Sequence, residues 1–326
     1  MQQIDLQPVD AADITILVDN TTDFLVGDHG PAKRPGSTGR PPLVASPLIA
    51  GGTAIDAPLA EHGFSALITV ARDGRDHRIL FDAGVTQDGL VENMRRLGLS
   101  PKDIETIVLS HGHFDHTMGL HGLVRALGGR ANLPVLIHPE FWNHRRVVIP
   151  GREPLPIFSS SKTALLGVGF EIAEERQPSF LLDGSVLVTG EVDRTTEFER
   201  GLPGHQALRD GEWQPDPLIL DDQALLLNVR DKGLVVLTGC GHSGIVNIVR
   251  YATTLTGIET VYAVIGGFHL PGPPTPVTVR TSEALAAFAP AVIVPTHCTG
   301  FPAMATLAAR MPDAFIQSTV GTRFAL

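Results

Sequence analysis

Residues 106–116 have the sequence Thr106-Ile107-Val108-Leu109-Ser110-His111-Gly112-His113-Phe114-Asp115-His116. The first four residues are β-branched or apolar and predict a strand. Three imidazoles and a carboxylate follow within six positions, so we expect them in a loop where that strand ends. Imidazole is a good ligand for zinc and iron, and a carboxylate adds negative charge that holds a second cation. The segment therefore predicts two neighbouring metal sites, an arrangement that serves metal-assisted hydrolysis.

The composition predicts one large α/β domain spanning residues 1–326. Hydrophobic residues make up 43% of the 326 residues, enough to bury a sizeable core. The net charge of −10 argues against a nucleic-acid or anionic-membrane partner, because phosphate binding needs clustered Lys and Arg. The basic pairs Arg95-Arg96 and Arg145-Arg146 are too short to reverse this. We expect a small-molecule substrate, and the oligomeric state stays open.

The compartment expected from the sequence is the cytoplasm. No signal peptide and no apolar run near 18 residues is evident. Cys240 and Cys298 are the only cysteines, so no disulfide framework is implied.

Hydrophobic patterning predicts hairpins followed by strand–helix alternation in each half of the chain. Strands are predicted at residues 14–18, 64–70, 77–81, 106–109, 135–137, 180–182, 186–189, 224–229, 234–237, 261–265 and 292–294, and helices at 87–97, 120–127, 245–256 and 279–288. This order favours two sheets packed face to face with helices outside. The Pro- and Gly-rich segment 31–58 predicts a long loop insertion, either a lid or an unconstrained excursion.

Three later loops place further histidines just beyond predicted strands. They hold His242, His269 and His297, each close to glycine or proline. His242 and His297 are predicted metal ligands, whereas His269 could bind metal or contact substrate. The remaining candidates that could complete the metal shell are Cys240, Cys298, Asp221, Asp222 and Glu191.

The H-x-H-x-D-H motif resembles the diagnostic motif of the metallo-β-lactamase superfamily. The resemblance implies an α/β fold, the αββα four-layer sandwich, with a dinuclear site along one edge. It assigns His111 and His113 to one metal, Asp115 and His116 to the other, and the terminal family histidine to His297.

Several blocks resemble more closely a subgroup, the dihydropterin-6-methyl-(ribofuranosyl)aminobenzene-phosphate synthase-like proteins. The blocks are residues 19–20, 61–65, 80–84, 109–113, 238–244, 265–270 and 295–300. Two features depart from the wider superfamily. No histidine corresponds to that of a Gly-His-Thr-Pro-Gly type loop, and Cys240 replaces the usual bridging aspartate. His242 is the candidate substitute for one of these two ligands.

The leading hypothesis is a metal-dependent hydrolase of a small anionic molecule that uses metal-activated water. It needs two divalent metal ions, with zinc the first expectation and iron or manganese the alternatives. Asp115 would position hydroxide, and His242, His269 or metal-bound water would protonate the leaving group. The alternatives are a synthase that condenses a dihydropterin diphosphate with an aminobenzene phosphate, iron-based redox chemistry, and a non-catalytic metal-binding sensor. The acidic charge disfavours an RNA-processing nuclease.

Overall fold

The computed structural model describes residues 3–37, 42–72 and 74–326. Within these ranges the strands are β1 (Ala11–Val18), β2 (Ala32–Lys33), β3 (Leu43–Ala45), β4 (Thr53–Ile55), β5 (Ser65–Arg72), β6 (Arg75–Phe81), β7 (Thr106–Val108), β8 (Leu133–Ile137), β9 (Arg145–Val147), β10 (Leu155–Ile157), β11 (Phe170–Glu174), β12 (Ser179–Leu181), β13 (Val186–Val188), β14 (His205–Arg209), β15 (Glu212–Pro215), β16 (Ala224–Val229), β17 (Gly233–Thr238), β18 (Val261–Gly267), β19 (Val292–Thr296) and β20 (Arg323–Ala325). The α-helices there are α1 (Gly89–Arg96), α2 (Leu120–Ala126), α3 (Lys162–Gly167), α4 (Ile245–Thr256), α5 (Pro276–Ala287) and α6 (Phe301–Arg310). None of these helices combines the length and apolarity needed to cross a bilayer.

Two large sheets enclose the main core. The first has the strand order β11-β8-β7-β6-β5-β1-β20-β2, and the second has the order β12-β13-β16-β17-β18-β19. Alternate residues of each strand point inward, so Ile14 and Ile16 of β1 share a buried cluster with Leu225 and Leu237 of the second sheet. Burial of these apolar side chains between the sheets is what holds the two layers together.

Helices cover the outer face of each sheet. Leu90 and Met94 of α1 pack with Leu123 of α2 against the first sheet. Ile248 and Leu255 of α4 pack against the second sheet. The order of layers is helix, sheet, sheet, helix, which confirms the predicted four-layer sandwich.

Parallel strands bring the histidine loops to one edge. In the first sheet, β6, β7 and β8 run parallel, and in the second sheet β17, β18 and β19 do so. The loops that follow β7, β17, β18 and β19 carry the predicted site residues. Carboxyl ends of parallel strands are where α/β sheets form their sites.

The structure contains elements that the sequence analysis did not predict, among them β11, β20, α3 and α6. Within the segment 31–58, β2 pairs with β20, and β3 and β4 form a separate two-stranded sheet, so the described part is not only irregular loop. A further difference is a four-stranded sheet of order β10-β9-β14-β15, none of whose strands was predicted. Pro156 and Pro215 lie in its two edge strands, where proline is tolerated because one side needs no ladder hydrogen bond.

Candidate metal centre

His111, His113 and His242 form the first cluster, and all three are buried. The Nε2 atoms of His111 and His242 lie 3.2 Å apart. The His113 ring centroid lies 4.5 Å from that of His111 and 4.9 Å from that of His242. One ligand atom from each residue lies within 4.8 Å of the others. The loop after β17 thus supplies a third histidine to the pair that follows β7.

Asp115, His116, Cys240 and His297 form the second cluster, also buried. Asp115 Oδ2 lies 3.2 Å from His297 Nε2 and 3.7 Å from His116 Nε2. His116 Nε2 lies 3.1 Å from Cys240 Sγ. Four donors from three loops therefore lie close together. Cys240, which the sequence analysis gave as one of several candidates to complete the metal shell, is one of the four.

The donors fit two divalent cations. Two nitrogens about 2.0–2.1 Å from one tetrahedral zinc ion would be roughly 3.3 Å apart, close to the separation of the His111 and His242 nitrogens. The Nε2 atom of His113 is buried and has no hydrogen-bond partner among the described residues. A buried polar atom without a partner is costly, and a cation would satisfy it. The mixture of nitrogen, oxygen and sulfur donors is one that zinc accepts.

Asp82, at the end of β6, orients both clusters. Its Oδ2 atom accepts a hydrogen bond from Ser110 Oγ at 2.7 Å and lies 2.6 Å from His116 Nδ1. Its Oδ1 atom accepts from the Ser110 backbone N–H at 2.7 Å. Ser110 Oγ in turn lies 2.9 Å from His111 Nδ1. A carboxylate that holds the far nitrogen of an imidazole fixes the ring and its tautomer, as behind metal-bound histidines.

Electrostatics around His116 follow from the same contacts. Burial lowers the pKa of His116, but the neighbouring carboxylates of Asp82 and Asp115 outweigh this and raise it to about 9. Cations would therefore compete with a proton at this imidazole.

His297 is held by the end of β1. Its backbone N–H donates to Asp19 Oδ1 at 2.9 Å, and its Nδ1 lies 3.4 Å from Asn20 Oδ1. His297 has a φ of +45° and His269 a φ of +42°, values uncommon for residues other than glycine. Such strained backbone persists where the surroundings enforce it, often at functional sites.

His269 lies beside the first cluster and is only partly buried. Its ring centroid is 4.3 Å from that of His242, and its Nδ1 has no hydrogen-bond partner in the described part of the chain. With Cys240 and Cys298 it forms a third group whose ligand atoms lie within 4.8 Å of one another. Burial raises the pKa of Cys298, but contacts with Cys240, His297 and His269 outweigh this and lower it.

Asp221, Asp222 and Glu191 belong to none of these groups within the described ranges. Asp222 accepts from the Ser243 backbone N–H at 2.9 Å, and burial raises its pKa to about 6. Glu191 pairs with Arg176. The structure therefore does not bring these acids into the groups formed by the predicted ligands.

Sequence reasoning missed two nearby histidines. The His62 side chain is 64% exposed, and its Nε2 atom lies 3.8 Å from Asp115 Oδ2. The His205 ring is stacked on that of His113, with 6.2 Å between the ring centroids. His62 belongs to the block 61–65, which carried a signal only through resemblance. His205 is the first residue of β14 and directly follows Gly204, and no local sequence pattern indicated that it would lie near the site.

A sequence profile of the metallo-beta-lactamase superfamily matches residues 61–297. This chain belongs to the metallo-beta-lactamase superfamily. A superfamily relative, the 7,8-dihydropterin-6-methyl-4-(beta-D-ribofuranosyl)-aminobenzene-5'-phosphate synthase of Methanocaldococcus jannaschii, is 34% identical over 252 residues, which is 75% of this chain and 83% of the relative. An uncharacterized protein of the same organism is 34% identical over 261 residues, 80% of this chain and 92% of that protein. The predicted family and the subgroup resemblance are confirmed.

A solved structure of the superfamily supports the fold. Tm1679, described as a metal-dependent hydrolase of the beta-lactamase superfamily, superposes with a TM-score of 0.69 at 22% identity, covering 96% of this chain and 98% of Tm1679. At that identity the likeness concerns the fold alone.

Proposed function

We propose that this chain is a metal-dependent synthase that joins a dihydropterin diphosphate to a phosphate-bearing aromatic amine. The observation that carries the proposal is the 34% identity, over 83% of its length, to a superfamily relative named as a dihydropterin-aminobenzene-phosphate synthase. The second support is that the two clusters of donors meet at one edge of the sandwich.

The proposed metal ligands are His111, His113 and His242 in one cluster and Asp115, His116, Cys240 and His297 in the other. Two divalent cations, zinc first and iron or manganese as alternatives, would supply positive charge that offsets the charge of a departing diphosphate.

The chain's own residues then hold the donors in place and move the proton. Asp82 and Ser110 fix the imidazoles behind the clusters. His269 is partly exposed beside the first cluster, so we propose that it accepts the proton that the amine loses. His242 lies within the first cluster, which favours a ligand role for it over proton transfer.

Hydrolysis of a small anionic molecule is the second candidate. Its support is the same donor set, which suits the activation of water at neutral pH. In that reaction Asp115 would position the attacking oxygen, and His269 would protonate the leaving group.

To test this, purified protein of known metal content is incubated with a dihydropterin diphosphate alone, with a phosphorylated 4-alkylaniline alone, and with both substrates together. Mass spectrometry should find the coupled product and diphosphate in equal amounts, and only when both substrates are present. Diphosphate release without the amine would instead support hydrolysis. Bound metal without either reaction would contradict the synthase and favour a sensor.

A matched pair of variants links turnover to the metal centre. His113→Ala should lose bound metal and activity together, because it removes one of three nitrogens from the first cluster. His29→Ala, which changes an exposed histidine, should alter neither.

A further inference from the structure

A cavity separate from the metal centre lies on the outer side of the first sheet, between the described part of segment 31–58 and the end of α1. Its volume is about 550 Å³, within the range of small-molecule sites. None of its lining residues belongs to the histidine clusters. Although the chain is acidic overall, five cationic side chains line this cavity: Lys33, Arg34, Arg95, Arg96 and Arg323.

Arg34 is the most informative of these residues because it is only 6% exposed. Its guanidinium donates to two neutral acceptors, from Nε to Gly27 O at 3.1 Å and from Nη1 to Thr322 Oγ1 at 2.7 Å. No carboxylate in the described ranges forms an ion pair with it. Burial lowers the pKa of Arg34, and the nearby Asp28 and Asp23 offset only part of that effect. A buried guanidinium whose nearest carboxylates do not contact it directly is only partly compensated, so this position favours a further anion.

Lys33 and Arg323 can turn toward a ligand at little cost. Lys33 Nζ lies 3.4 Å from Asp28 Oδ2, and Arg323 Nη1 lies 3.6 Å from Asp13 Oδ2. Both pairs are long and lie at the surface, where ion pairs contribute little. They can therefore be exchanged for contacts with a more highly charged group.

Arg95 and Arg96 have a different role in the cavity wall. They contact the two oxygens of buried Asp56 at 2.7 and 2.6 Å, which fastens segment 31–58 to α1. The Nε of Arg96 is buried and has no hydrogen-bond partner in the part of the chain that the structure describes.

Much of the remaining wall is apolar and includes Phe24, Ile55, Leu97 and Leu99, while Thr15 and Asp56 add polar groups to it. We propose that this cavity binds a small phosphate ester whose apolar body packs on that wall. Arg34, Lys33 and Arg323 would hold the phosphate, since guanidinium groups match phosphate oxygens in geometry and charge. The site is separate from the metal centre and does not depend on the proposed reaction.

Isothermal titration with phenyl phosphate tests the proposal, using the full chain both metal-loaded and after chelation followed by dialysis. Binding should persist after metal removal, because the cavity contains none of the proposed metal ligands. Inorganic phosphate and phenol should each bind at least about tenfold more weakly, since each lacks one half of the ligand.

The double variant Lys33→Gln/Arg323→Gln should weaken phenyl phosphate binding at least about tenfold without changing the melting temperature much. Arg230→Gln, at an exposed arginine that pairs with Asp10, should bind as the parent does. Loss of binding on metal removal would place the phosphate at the metal centre and overturn the proposal. So would equal binding by the double variant, or no binding at all.

Discussion

Replacing Asp82 with asparagine should weaken one metal cluster more than the other. Asp82 has a φ of +58°, a conformation that asparagine tolerates better than most residues, so the backbone should be preserved. The carboxylate receives Ser110 N–H on one oxygen and both Ser110 Oγ and His116 Nδ1 on the other. If the amide oxygen keeps the backbone bond, its NH₂ group must face His116 Nδ1.

That contact would force the proton of His116 onto Nε2, the atom that lies 3.1 Å from Cys240 Sγ. A protonated Nε2 cannot bind a cation, so the tautomer that ligation needs becomes unfavourable. Loss of such an orienting partner typically costs 10- to 100-fold in metal affinity, or about 1.4–2.7 kcal/mol. His111 contacts Asp82 only through Ser110, so the first cluster should weaken less.

Competition with a chromophoric chelator measures both affinities. Asp82→Asn should show one zinc site weakened 10- to 100-fold and the other changed by about threefold or less. Asp56→Asn is the control, because Asp56 is also a buried carboxylate but contacts Arg95 and none of the histidines of the clusters. Parental affinity at both sites of Asp82→Asn would refute the orienting role of this carboxylate.

Three further perturbations follow from the structure. Gly112→Ala should lower the free energy of unfolding by about 1–3 kcal/mol in denaturant titration, because a Cβ would lie 2.1 Å from the Phe141 carbonyl oxygen. Arg145→Met should cost about 3–5 kcal/mol in the same assay, since it leaves the buried Asp221 without its cation. Burial raises the pKa of Glu140, but hydrogen bonds outweigh this and lower it to about 2. Its contribution is present above the unfolded-state pKa, so the stability gap between Glu140→Gln and the parent should close as pH falls from about 5 toward 2.

Each perturbation has a control of the same type. Gly27→Ala has open space around its Cβ and should be nearly neutral. Arg230→Met breaks an exposed pair and should cost less than about 1 kcal/mol. Glu171→Gln, at an exposed position of β11, should change the free energy of unfolding by less than about 0.5 kcal/mol. If a control variant changed stability as much as the variant that it is paired with, the explanation for that variant would be contradicted.

Local pattern was most useful where candidate ligands directly follow strands. The segment 106–116 contains both the strand and four possible donors, so local pattern was sufficient to propose them. His242 and His297 were proposed for the same reason, because their loops follow predicted strands that the structure contains as β17 and β19.

Contacts between distant parts of the chain could not be predicted in this way. The orienting role of Asp82 depends on the pairing of β6 with β7, which places it beside Ser110. His205 lies beside His113 because β14 joins the four-stranded sheet, which no local sequence pattern predicted. The basic cavity likewise depends on a long-range contact, that of Asp56 with Arg95 of α1.

Anomalous diffraction at the zinc edge, from crystals grown with zinc, tests the metal centre most directly. Two peaks should appear, one among His111, His113 and His242 and the other among the donors Asp115, His116, Cys240 and His297. Refined metal–ligand distances should be about 2.0–2.3 Å. Density without a peak at either cluster, with the imidazoles turned away from one another, would contradict a metal centre at this edge of the sandwich.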